Sequence, residues 1–515
     1  MAANPPSEPA AGQRPALGLA GLTVHAMALI APGAFLWTTF QTQAALTKGT
    51  KTTASDMFFS LFAVLVIACL TALCYSELAN LYHQAGAGSS YAFAEAAFLD
   101  KEKAQHRKWA RMAKMSAGWI SHLYYWVYPG VLVAYIATLV VYVVGIFSPS
   151  TTVNSGVQVL IAVASAALIG YIAFRGLIGS TKAALAVSVI QFAMLLIVSV
   201  LAIVFRATHG KVVYEHSSAL DVITPHSPTN VVYQGTIAIL LVAGFESVTA
   251  LGAEAKNPKR HIRQAILLSL AIQGIFAYLF EYFAANYFIG NQIVGTGTDL
   301  NTELTGYASA AASRAPLGDF LTYMGDHWFS NLGIAFATIV AVTVVLALVG
   351  SILSAMNTGV RITSAMGRDK EMPGLFGFLH GKYATPHYGV LLMVVVSALL
   401  GAYGVLGINN LTQITLASNV GTFALYGLTC LVTLVAFWSL RDRHVVRHTI
   451  VPFAGAVLNI FMMLAVFYVA FSDRGDSSRN GLKALVMVAV WVLLGVVWFV
   501  WNSARQGRAL LHAAG

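Results

Sequence analysis

Apolar runs of about 20 residues, the length a helix needs to cross a hydrocarbon core, recur from one end of the chain to the other. They lie at 18–40, 57–81, 117–146, 157–174, 183–206, 233–254, 264–289, 329–360, 387–406, 413–438, 449–471 and 484–502. None has the short alternating polarity of an outer-membrane barrel strand, so the pattern predicts an all-α membrane protein of twelve transmembrane helices. Two runs are interrupted at similar depth. The first reads HAMALIAPGAFLWTTFQ, with Pro32-Gly33 in its middle. The sixth reads TIAILLVAGFESVTALGAEAKNPKR, with Gly244 at the break and Glu246 beside it. If runs 1–5 and 6–10 form an inverted repeat, the breaks correspond, and paired breaks mark a transporter's binding site.

Composition removes the soluble alternatives. Of 515 residues, 58% are hydrophobic and only 10% charged, against about 25% charged in soluble proteins. The net charge of +10 raises a nucleic-acid reading, but 22 of the 30 Lys and Arg fall in the two terminal segments and alternate inter-helix segments. That bias predicts a multi-pass protein of the plasma (inner) membrane with both termini cytoplasmic, and no nucleic-acid partner. One of these segments, KEKAQHRKWARMAK, reads equally as a surface helix or a solvated basic loop. Cys69, Cys74 and Cys430 sit inside apolar runs, so neither a disulfide framework nor a metal cluster is expected. No cleavable signal peptide is expected. The organisation predicted is a disordered N-terminus (1–17), a first repeat (18–206), a second repeat (233–438), a peripheral pair (449–502) and a tail (503–515).

Motifs along these runs resemble the amino acid–polyamine–organocation superfamily. Cys74-Tyr75-Ser76-Glu77-Leu78 followed by AGAGSSYAFAEAAF is similar to its Y-x-E-L … AG-x-x-Y-x-Y pattern. Glu254-Ala255-Lys256-Asn257-Pro258-Lys259-Arg260 followed by Arg263-Gln264-Ala265-Ile266 resembles E-x-KNP-x-R-x-I-P-x-AI, with Arg263 replacing a proline. Ala365 to Pro373, AMGRDKEMP, is close to A-x-x-RDG-x-LP. The resemblance implies the inverted-repeat fold of leucine transporters, two five-helix repeats with broken helices 1 and 6 plus two further helices, working by alternating access. It implies amino acids or related amines as substrates, in a lipid bilayer.

The breaks suit such a substrate. Backbone groups freed from helix pairing in lipid cost several kcal/mol unless satisfied. A carboxylate can accept from N–H groups at the positive end of a half-helix, and an ammonium can donate to freed carbonyls. On this reading Ile30, Ala31, Gly33, Ala34 and Phe35 hold the carboxylate end. Pro32 has no N–H, which leaves Gly33 and Ala34 as donors. Gly244, Phe245, Glu246 and Ser247 hold the amine, with Phe245 as a candidate lid. Tyr125-Trp126 matches a pair that relatives place beside substrate, and Tyr128 lies one turn on. Packing is the plainer reading of these aromatics.

A carboxylate at bilayer centre costs roughly 2.5–3.5 kcal/mol on insertion scales, so Glu246 is read as functional. It can bind the substrate amine, carry a proton, or act as a structural hydrogen-bonding group. Glu281 and His25 are further proton-coupling candidates. Several relatives carry a lysine in the fifth run in the place of sodium; the matching position here is Gln191. Coupling therefore stays open between a proton on Glu246 or Glu281, Na⁺ between first-run carbonyls and the Ser351 and Ser354 hydroxyls, and uncoupled exchange. Proton-coupled symport of amino acids is the leading expectation, with exchange or uptake of polyamines and other amines as the alternative. A channel is a rival from a different class. No zinc-hydrolase spacing, clustered triad or nucleotide loop is present, so no enzyme, pump or cofactor beyond a coupling ion is expected.

Overall fold

A computed structural model of the chain describes residues 17–508 apart from 31–33, 84–88, 101–106, 149–152, 176–180, 293–303, 329–331, 384 and 473. Among the described residues, 11 helices are long and apolar enough to cross a membrane. They correspond to the second to twelfth apolar runs. The first run instead forms α1 (Leu19–Ile30) and α2 (Ala34–Ala44), each shorter than a span, and Pro32-Gly33 falls outside the described residues. Of the expected N-terminal tail only Leu17 is described. Its N–H donates to the Glu254 carbonyl at 3.0 Å, and its own carbonyl accepts from Lys256 N–H at 2.9 Å.

The order continues with α3 (Met57–Leu81), α4 (Ser89–Leu99), α5 (Ala110–Phe147), α6 (Ser155–Phe174), α7 (Thr181–Thr208), the short α8 (Ala219–Ile223) and α9 (Pro228–Val242). A 3-10 stretch (Phe245–Glu254) leads to α10 (Pro258–Ser269), which runs through a π-helical segment (Leu270–Tyr278) into α11 (Leu279–Phe288). Then come α12 (Gly306–Ala312), α13 (Pro316–Trp328), α14 (Gly333–Arg368), α15 (His387–Gly404), α16 (Ile408–Trp438), α17 (Val451–Ser472) and α18 (Asp476–Gln506). A two-residue-per-strand hairpin, Thr47–Lys48 with Lys51–Thr52, adds a small β element to the all-α expectation.

The Lys-Asn-Pro motif has a local physical cause. Asn257 caps α10, its side-chain oxygen accepting from Arg260 N–H at 3.2 Å, while Pro258 takes the first turn, where no N–H is needed. At the other break, α9 stops at Val242; Ala243 is extended and Gly244 adopts φ +128°. A side chain there would be strained, and a Cβ would also lie 2.8 Å from Leu29 Cγ.

Burial separates centre from rim. In Pro228–Gly252, 94% of the most apolar window is buried within the protein, against 22% in Asp476–Gln506. The region around Glu246 is therefore the middle of the bundle, while α18 presents most of its apolar surface outward, as a lipid-facing helix does. Helices α5, α6 and α15 approach closely at glycines, as small residues permit in membrane bundles. A Cβ on Gly401 of α15 would meet Val133 Cγ1 of α5 at 2.7 Å, one on Gly130 would meet Leu400 Cβ at 2.6 Å, and one on Gly170 of α6 would meet Val394 Cγ2 at 2.0 Å.

Of the basic stretch before the third run, residues 101–106 lie outside the described residues and 107–109 are exposed, and only 110–114 depart from both readings. Residues 110–114 open α5 rather than lying on a surface or in a solvated loop. Arg111 is buried and binds Glu371 with two hydrogen bonds of 2.9 and 3.1 Å. Lys114 pairs with Glu95 at 2.6 Å and Asp369 at 2.8 Å, and Tyr91 OH also donates to Asp369. Arg508 reaches Glu371 at 3.3 Å, and Trp498 Nε1–H donates to its backbone carbonyl. These contacts bind the start of α5 to the segment after α14 and to the end of α18.

Candidate functional site

Four elements meet at Glu246. Its carboxylate is fully buried and accepts three hydrogen bonds: from Tyr125 OH on α5 at 2.8 Å, from Tyr426 OH on α16 at 2.6 Å, and from Gly244 N–H at 3.0 Å. The bend at Gly244 makes the third bond possible, because it turns that N–H out of the α9 ladder and toward the side chain two residues on. Phe245 packs against Tyr75 and Tyr426, with ring centroids 6.1 and 5.3 Å away. Ser247 is buried and its hydroxyl has no partner among the described residues. Among the described residues no Lys, Arg or His pairs with Glu246, so three neutral donors surround it.

The C-terminal end of α1 forms the facing wall. The last carbonyls of a helix have no partner within it, and here side chains from other elements supply donors. Ala28 O accepts from Ser351 OH at 2.7 Å, Leu29 O from Tyr128 OH at 3.3 Å, and Ile30 O from Tyr278 OH at 2.6 Å. Ser354 Oγ lies 3.3 Å from His25 Nε2 and 3.4 Å from the His25 carbonyl. The sequence candidates His25 and Ile30 of α1, Tyr128 of α5 and Ser351 and Ser354 of α14 thus gather around one short helix, while Gly244, Phe245, Glu246, Ser247 and Tyr125 gather opposite. Leu29 joins the two groups through its contact line with Gly244.

Other candidates stand apart. Ala31 and Gly33 fall outside the described residues, as do the side chains of Ala34 and Phe35, which open α2. Trp126 turns away from its neighbour Tyr125, toward Thr363 of α14 and Trp491 of α18. Gln191 is buried on α7, and its amide nitrogen has no partner among the described residues. Glu281 is buried on α11, and its Oε2 likewise has no partner among the described residues. It follows the π-helical segment, where Gln273 is also buried and neither of its amide atoms has a partner among the described residues. Such segments are frequent at functional sites.

Two side chains that complete the site, Tyr426 and Tyr278, were not singled out by sequence reasoning. A tyrosine in an apolar run carries no signal that separates it from packing. At helix ends the acidic residues of the motifs find basic partners: Glu77 with Arg263 at 3.4 Å and His448 at 3.6 Å, and Glu254 with Arg361 at 2.5 Å. A cleft of about 350 Å³ lined by Asn80, Lys259, Arg260, Arg263 and Gln264 lies at this end and shares no residue with the Glu246 cluster.

Residues 19–497 match the family model described as amino acid permease. Among individual proteins, the chain is 24% identical to a methylthioribose transporter of Bacillus subtilis over 55% of its own length and 53% of that protein. It is 22% identical to the branched-chain amino acid permease BcaP of the same organism, over 52% and 49%. It is 23% identical to the low-affinity putrescine importer PlaP of Escherichia coli, over 51% and 50%. The chain thus aligns with about half the length of the curated relatives it matches.

Proposed function

Because the chain belongs to the amino acid permease family, an integral multi-pass class of transport proteins, we propose that it moves an amine-bearing substrate by alternating access, with amino acids as the leading class. One observation carries this reading: Glu246 is a buried carboxylate with three neutral donors and no basic partner among the described residues. An ionised group in that position lacks a counter-charge, and a substrate ammonium supplies one. The α1 carbonyls close by already draw hydroxyl donors, so the same wall suits a donor-rich ligand. Ile30, Ala31, Gly33, Ala34 and Phe35 are proposed for the substrate carboxylate, and Gly244 to Ser247 with Tyr125 and Tyr128 for the amine. Polyamines and other small organic amines are the alternative substrates. The division into repeats at 18–206 and 233–438, with helices 1 and 6 broken, belongs to the same proposal. So does placement in the plasma (inner) membrane with both termini cytoplasmic, which the Lys and Arg distribution supports.

Purified protein in proteoliposomes tests this directly. Saturable uptake of a radiolabelled amino acid or amine, accelerated by substrate on the opposite side, is the expected result. A non-saturating ion current would mean a channel instead.

For the coupling ion, the buried Oε2 of Glu281, without a partner among the described residues, favours a proton. Glu281→Gln is expected to abolish uptake driven by an inward proton gradient while leaving counterflow intact. Unchanged proton-driven uptake would remove Glu281 from the mechanism. Sodium is the competing scheme, because Ser351 and Ser354 sit on α1 carbonyls. A Na⁺-dependent rise in Tm that Ser351→Ala abolishes would decide for it.

A further inference from the structure

The segment between α7 and α9 holds a side-chain cluster that transport does not account for. His216 is buried, and His226 and Asp221 are partly exposed. One ligating atom from each lies within 4.8 Å of the others. His216 Nδ1 is 3.6 Å from Asp221 Oδ2, and His226 Nε2 is 3.0 Å from Asp221 Oδ1.

The hydrogen bonds around the cluster decide which nitrogens carry protons. Asn286 Nδ2 donates to the Tyr282 carbonyl at 2.8 Å, so its Oδ1 is an acceptor, and it takes the Tyr307 hydroxyl proton at 2.7 Å. The Tyr307 oxygen is then free to accept, and His216 Nε2 lies 2.9 Å from it. His216 therefore donates through Nε2, which leaves a lone pair on Nδ1 facing Asp221. His226 stands between two carboxylates: its Nδ1 lies 3.4 Å from Asp56 Oδ1 and its Nε2 3.0 Å from Asp221 Oδ1, so Nε2 faces the second Asp221 oxygen and can hold either a proton or a cation there. Asp56 is itself buried, and its Oδ1 also accepts from His226 N–H at 2.6 Å. Ser217 N–H donates to Asp221 Oδ2 at 2.7 Å and fixes the carboxylate.

Both rings thus turn a nitrogen toward one carboxylate, and a divalent cation can stand there in place of the shared protons. Each ring also has its far nitrogen held by an oxygen, the arrangement that orients metal-bound histidine. We propose that His216, Asp221 and His226 bind a divalent transition-metal ion of the zinc type. Two nitrogens and one carboxylate oxygen suit zinc, cobalt or nickel and not magnesium or calcium, which prefer all-oxygen shells. Zinc–nitrogen bonds are about 2.0–2.1 Å, so the ligands close on the ion by small side-chain rotations. The ion fastens this loop to the residues before α3 through Asp56 and to α12 through Tyr307.

The test uses full-length, tag-free, metal-depleted protein in detergent. Titration with zinc and with cobalt is expected to give one saturable equivalent, a cobalt d–d absorption band, and a rise in Tm that magnesium does not give. His226→Ala, at a partly exposed position, is expected to remove that equivalent while the protein stays monodisperse. Tyr307→Phe keeps all three ligands and deletes an outer acceptor, so its zinc affinity is expected to fall roughly 10–100-fold. Equal zinc binding by the native chain and His226→Ala, or no saturable binding by the native chain, would overturn the site and leave a proton-bridged His–Asp–His network. Neither result bears on amine transport, which is read separately by flux.

Discussion

Glu246→Gln is expected to lower affinity for the amine-bearing substrate by roughly 10- to 150-fold, the equivalent of one charge-assisted hydrogen bond of about 1.5–3 kcal/mol. Glutamine has the same length: its one oxygen can take the place of Oε2, which accepts from Tyr426 OH at 2.6 Å and Gly244 N–H, and its NH2 can donate to the Tyr125 hydroxyl, which lies 2.8 Å from the native Oε1. The local fold is therefore kept while the charge is lost. Binding is read by isothermal titration or counterflow against a panel of amino acids and amines. Tyr426→Phe makes the comparison sharper, because it deletes one donor but leaves the charge, and a smaller loss is expected. Unchanged affinity for every substrate in Glu246→Gln would sink the amine-binding role. Loss of proton-driven uptake with counterflow intact in that variant would instead assign the coupled proton to Glu246.

Arg111→Met is expected to destabilise the protein by about 3–5 kcal/mol, because it strips the bidentate partner from a buried carboxylate. Arg111 and Glu371 are each only 1% exposed at the side chain, so water cannot take the missing role. Arg508 is too far out, at 33% exposed, and contacts one oxygen only. Removing both charges with Arg111→Met and Glu371→Gln together is expected to recover much of the loss, since the cost arises from the unpaired charge and not from the missing bond. Thermal unfolding in detergent measures both variants. A single variant as stable as the native chain would show that the pair carries no net stabilisation.

These contrasts explain what could be read in advance. Eleven of the twelve expected spans, with approximate limits, follow from hydrocarbon thickness, which acts locally on about 20 consecutive residues, while the first run forms two shorter helices. Glu246 was legible for the same reason, since an acidic residue in such a run is costly wherever the chain goes. Its partners were not. Tyr426 lies 180 residues away, and only the packing of α16 against the bend at Gly244 gives its hydroxyl a role. Arg111 was read as a surface residue because its neighbours are basic; its partner Glu371 is 260 residues distant in another motif. Tyr125 and Trp126 matched as a pair, yet adjacent helix positions point about 100° apart, and only Tyr125 faces the site. Local rules thus gave most spans and the costly carboxylate, while long-range packing chose the tyrosines and the buried cation.

The glycine contacts among α5, α6 and α15 have a practical consequence for testing the proposed transport cycle. Where a methyl group cannot be inserted between one helix's glycine and the side chain packed on it, one helix cannot slide or tilt far against the other without leaving a void that lipid is too large to fill. Spin or fluorescence labels on the outward faces of these three helices should hold constant mutual distances in every state. They therefore define a coordinate frame fixed to the protein itself, against which a label on α9 or α1 reads displacement instead of overall tumbling.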